Sequence, residues 1–97
     1  MGVRHAREYS EILQELTEAI GSIEDSYLFF EMDVEDWKEL QDEEKHEVLE
    51  ALADDVFYGL GEHPEIAVGS GQVIYSPKLH HIVVKTDDQV YRTVRLI

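Results

Sequence analysis

The apolar residues of this chain change period at Glu65. Between Tyr9 and Leu60 they recur every third or fourth position, and from Glu65 to Ile97 they recur every second one. The first spacing lines one face of an α-helix and the second lines one face of a strand. The chain therefore carries its helices first and most of its sheet last. Parallel neighbours need crossovers of a dozen or more residues, and the strand-like runs are separated by far fewer, so the sheet is expected to be antiparallel.

The helical part divides into recognisable pieces. Tyr9, Ile12, Leu13, Leu16, Ile20 and Ile23 make one stripe, with Glu8, Glu11, Glu15 and Glu18 on the other side, and Gly21–Ser22 supplies a stop. The run "SYLFFEMD" is aromatic and lacks helix punctuation, so Tyr27 to Met32 reads as a strand. Asp33 reads as the N-cap of a short helix that turns Trp37 and Leu40 inward. Asp42 reads as a second N-cap, opening a helix with Leu49, Leu52, Val56, Phe57 and Leu60 on one face, closed by Gly59, Gly61 and Pro64. The spacing over residues 34–60 fits either one bent helix or two.

The strand-like part reads "EIAV", "QVIYS", "LHHIVVKT" and "QVYRTVRLI", punctuated by "GSG", "PK" and "DD". The expected fold is α+β. A single small domain spans 1–97, with a helical, acidic part over 1–62 and a β-meander over 65–97. Its antiparallel sheet has three to five strands, counting one near 27–32, with two or three helices packed on one face.

Composition narrows the chemistry. There is no cysteine, which excludes disulfides, thiolate nucleophiles and the common cysteine zinc sites, and which best fits the cytoplasm. The start, "MGVRHAREYS", has no apolar core of the kind a secretory signal needs, and no window approaches ~18 uninterrupted apolar residues, so no membrane span is expected. The formal charge is −14, and residues 24–65 carry all of it: sixteen acids stand against Lys38 and Lys45. Residues 1–23 carry −2 and residues 66–97 carry +2. Phosphate contacts require lysine and arginine, so direct binding of nucleic acid or of an anionic membrane is disfavoured, and a basic protein partner is favoured.

Within the acidic segment, Glu43, Glu47, Glu50 and Asp54 follow one another at spacings of four, three and four, making a stripe of like charge along one helix. A helix built only for solubility would usually intersperse lysines. The stripe is a candidate docking surface; the plainer reading is the wet side of a helix in an acidic proteome. His46, Glu50 and Asp54, at i, i+4 and i+8, are the only candidate metal ligands, and they lack a companion motif elsewhere. His80 and His81 point to opposite sides of a strand, so they cannot share one ion; a two-residue "PK" turn would set His80 opposite Tyr75. "VGSGQV" joins two strands and lacks the lysine of a phosphate loop, so it reads as a hairpin turn. "GLGEHP" fails as a dinucleotide fingerprint because Pro64 holds the last glycine position.

No residue here is set up as a nucleophile or a general base, and no cofactor is implied. The function expected from the sequence is a non-catalytic protein-interaction module whose contact surface is the acidic 33–55 region. One alternative is a nucleic-acid mimic that blocks a DNA- or RNA-binding protein; another is a small metal-dependent enzyme built on His46. A mimic needs carboxylates in rows that track phosphates, while an adaptor needs an apolar patch among them. The last strand, "VYRTVRLI", offers an edge that would favour a homodimer.

Overall fold

The computed structural model describes residue 3, residues 5–86 and residues 89–97. Helix α1 spans Tyr9–Gly21, a 3₁₀ turn spans Ser26–Phe30, α2 spans Val34–Glu39 and α3 spans Asp42–Gly59. Strands β1 (Glu65–Val68), β2 (Gly71–Ser76), β3 (His81–Thr86) and β4 (Gln89–Arg95) form one antiparallel sheet in the order β1-β2-β3-β4. The fold is thus the α+β meander that the change of period implies.

One face of the sheet is buried. Val68, Val73, Ile82, Val84, Val94 and Leu96 lie on it with essentially no exposure. Against them pack Ile12, Leu16 and Ile20 of α1, and Leu52, Val56 and Phe57 of α3. Burying such side chains is the main favourable term in a domain of this size. The opposite face of the sheet stays open: Gln72 pairs with Lys85, Ile74 with Val83, and Val83 in turn with Thr93. The alternation of buried and exposed positions along β2 follows directly from the period of two.

The run Tyr27–Met32 is not a strand. Ser26–Phe30 winds into a 3₁₀ turn, and Glu31 ends it in the left-handed region at φ 58°. Tyr27, Leu28, Phe29 and Phe30 are apolar without alternation, so no pleat places one set inside and the other in water. The sheet accordingly consists of the four C-terminal strands. Asp33 is the N-cap residue of α2, as expected. The N-cap of α3 is Gln41 rather than Asp42, and its backbone N–H donates to the Glu44 carboxylate at 3.1 Å. Leu40 and Gln41 are both extended, at ψ 143° and ψ 164°, so residues 34–60 are two helices.

The β2–β3 connection also differs from the two-residue turn expected. It runs over four residues, Pro77–His80, with His80 at φ 53°, and Tyr75 pairs with Ile82. His80 is exposed, and its carbonyl accepts the Leu96 N–H at 2.9 Å. The "DD" turn at 87–88 lies outside the described residues.

The β1–β2 turn explains the "GSG" run. Gly69 sits at φ 57°, and a Cβ there would fall 2.3 Å from the backbone oxygen of Asp25. The Asp25 carboxylate accepts both the Ser70 N–H and the Ser70 hydroxyl, each at 2.9 Å. This clip ties the end of the helix α1 connection to the first hairpin. It also holds the Asp25 carboxyl below its usual range, chiefly through the Ser70 backbone hydrogen bond.

Two outcomes follow. Gly69→Ala combines a left-handed φ with a backbone clash and should lower stability by ~2 kcal/mol or more, read from the urea midpoint. Asp25 has a depressed folded pKa, so its contribution is present above the unfolded aspartate value, about 3.9, and is lost as pH falls through the lower folded value. Asp25→Asn should flatten the acid limb of the stability–pH curve in that window, and an unchanged limb would show that the clip carries no charge-dependent stability.

Candidate functional site: an acidic helix beside an exposed apolar cap

The acidic stripe of α3 is exposed for most of its length. Glu43, Glu47 and Glu50 face solvent, while Asp54 is half-buried. Asp54 is engaged: it accepts a hydrogen bond from the Tyr9 hydroxyl across the α1–α3 contact. Tyr9 packs edge-on against Phe57 with ring centroids 5.0 Å apart. Its hydroxyl pKa is pushed up, first by burial and then by the bond to Asp54. Asp54 therefore belongs to the helix–helix interface, and the solvent stripe consists of Glu43, Glu47 and Glu50.

The acids of α1 and of α3 have different surroundings. Arg7 binds Glu15, and Arg92 of β4 reaches Glu15 at 3.7 Å and Glu18 at 2.8 Å. The acidic side of α1 is thus neutralised from the chain's own arginines. Among the described residues, no lysine or arginine forms an ion pair with an acid of α2 or α3. The nearest cation, Lys45, is turned away from the stripe and stands 5.7 Å over the Trp37 ring.

Trp37 is half-buried rather than enclosed. It stacks on Tyr27 at 5.6 Å with an interplanar angle of 20°. This stack fixes α2 to the 3₁₀ turn, and α2 itself buries no residue. The 3₁₀ turn and the start of α2 also carry a cap of exposed apolar side chains. Leu28 is 49% exposed, Phe29 37%, Phe30 39% and Val34 44%. Phe29 and Phe30 pack edge-to-face at 5.6 Å. Exposed acids punctuate the cap at Glu24, Glu31, Asp33, Glu35 and Asp36. The strand expected over Tyr27 to Met32 did not anticipate this exposed set; the signal against it was the missing alternation in "YLFF".

His46 and Glu50 sit together, with Nε2 of His46 3.5 Å from Glu50. They line a shallow groove of about 340 Å³ against Ser10, Leu13, Gln14 and Thr17 of α1. Asp54, one turn further on, is bound to Tyr9 and does not complete a set with them. Among the described residues no three His, Asp or Glu side chains converge on one point. His5, His63, His80 and His81 lie on separate elements, and His81 pairs in register with Ser76 and Arg95.

No helix among the described residues is long and apolar enough to cross a membrane. No protein-family model, curated protein or solved structure matches the chain.

The two ends of the stripe should respond oppositely to charge reversal. Glu47→Lys gains opposite-sign neighbours in Glu43 and Glu50 and should stabilise the fold by ~0.2–0.5 kcal/mol per pair. Asp54→Lys removes the acceptor of the half-buried Tyr9 hydroxyl and should destabilise by ~1–3 kcal/mol. Thermal melts of the two single variants check this, and equal shifts would place Asp54 back on the solvent stripe.

Proposed function

We propose that this chain is a non-catalytic protein-interaction module of the cytoplasm that holds a basic partner on its α2–α3 side. The observation that supports this reading is the lack of compensation. The acids of α1 pair with Arg7 and Arg92, yet among the described residues Glu43, Glu47 and Glu50 have no lysine or arginine partner. Like charges at i, i+3 and i+4 cost stability, and natural sites often keep such costs where function requires them.

The presence of an apolar cap beside the acids favours an adaptor over a nucleic-acid mimic. A phosphate mimic presents carboxylates in rows and has no use for Phe29 and Phe30 in solvent, whereas a protein interface is built on a desolvated apolar centre with a polar rim. A metal-dependent enzyme is the weaker alternative, because it would need Asp54 to leave Tyr9. The protein acts without direct contact to nucleic acid, since the exposed acids repel phosphate. A homodimer through the β4 edge is compatible with this role, although Arg7 and Ala6 already bond the carbonyls of Arg95 and Leu96 at the end of that strand.

The test is retention of a partner from a native-host lysate on immobilised protein, with elution by salt. A partner held by this side elutes steeply with ionic strength and is lost from the Glu43→Lys/Glu47→Lys double variant, which stays folded. A partner retained equally by the double variant would move the site away from α3, to the open sheet face with Lys85 and Arg95.

A further inference from the structure

The cap formed by Leu28, Phe29, Phe30 and Val34 has no role in the core. Four large apolar side chains, each more than a third exposed, lie within seven consecutive residues on the 3₁₀ turn and the start of α2. Scattered exposed apolar residues are ordinary, but a contiguous set rimmed by polar groups marks an interaction surface. The set is also held in place. Asp25 clips the start of the 3₁₀ turn to the β1–β2 hairpin, and the Tyr27–Trp37 stack braces it against α2. The aromatics are therefore presented in a fixed arrangement, which lowers the ordering cost of binding.

The rim identifies the occupant. Glu31 directly follows Phe30, Asp33 directly precedes Val34, and Glu35 and Asp36 follow it; all four acids are exposed, and none has a lysine or arginine ion-pair partner among the described residues. A second copy of this chain would bring two acidic rims together. An anionic lipid surface would meet the same repulsion. A segment that alternates apolar side chains with lysine or arginine satisfies both the cap and its rim.

We infer that the cap is a docking site for a basic, amphipathic protein segment, with its apolar side on Phe29 and Phe30 and its cations on Glu31, Asp33, Glu35 and Asp36. This rests on the protein-binding reading above and specifies the partner's chemistry. Binding then has two separable parts. Charge attracts any cationic chain to the acidic side, whereas the cap discriminates in favour of a chain that also carries apolar groups.

Two synthetic peptides of equal length and charge serve as probes. One alternates leucine and lysine at amphipathic-helix spacing, and in the other serine replaces every leucine. Fluorescence anisotropy of the wild type should show the leucine peptide bound roughly tenfold more tightly than the serine peptide. Phe29→Ser/Phe30→Ser should abolish that preference while keeping weak, salt-sensitive binding of both peptides. Backbone amide spectra of the wild type titrated with the leucine peptide should move the resonances of residues 28–36; this arm stands even where the double variant fails to fold. Equal binding of the two peptides by the wild type overturns the apolar docking site and leaves the charge-driven reading intact. Absence of binding to either peptide tells against both. Sedimentation showing a wild-type dimer that Phe29→Ser/Phe30→Ser dissolves would assign the cap to a second copy and overturn the inference.

Discussion

The carboxylate of Asp25 connects the two halves of this fold. It accepts two hydrogen bonds from Ser70 at the first hairpin of the sheet, and it lies at the point where the chain leaves α1. Gly69 is required beside it because any Cβ would strike the Asp25 backbone. Beyond this point the chain does not continue along the sheet edge as a further strand. It winds instead into the 3₁₀ turn, and Glu31 turns it toward α2. The apolar cap begins at Leu28, three residues beyond that polar contact.

Much of the architecture is legible in the residues because the relevant forces are periodic. The α1 stripe and the alternation in β2 and β3 each follow from burying one face, and the structure buries those faces. The segment 27–32 was not legible, because its aromatic composition suits a strand while its tertiary anchor at Asp25 lies 45 residues from Ser70 in sequence. The same reasoning covers Asp54. Its place on the stripe is a helical fact, but its bond to Tyr9 depends on how α1 lies against α3, and spacing along one helix carries no such information. The shift of the β2–β3 turn to four residues is of the same kind, since His80 adopts a positive φ that a histidine tolerates only in a supported turn.

The charge of the chain is organised by pairing rather than by amount. Acids on α1 are taken up by Arg7 and by Arg92, which reaches over from β4, so the helix that packs against the sheet is locally balanced. Among the described residues the acids of α2 and α3 have no such ion-pair donors, and Lys45, the lysine of α3, is held on the Trp37 face. An aromatic stack thus withdraws from the acidic stripe the cation nearest to it. Stability and charge display are in this way served by different residues, which permits substitution on the stripe without loss of the core.

The four-stranded meander leaves Lys85 and Arg95 on the open side of the sheet, opposite the helical layer. Glu65 pairs with Ile74 and shares that side, so the open face is close to neutral while the helical side carries the acids of α2 and α3, and the charge of the molecule is unevenly distributed between the two sides. In the field of a cationic macromolecule such a body experiences a torque before any contact is made, and it turns its α3 side forward during diffusion. Productive encounters then become a larger fraction of all collisions, and the advantage shrinks as added salt shortens the distance over which the field is felt.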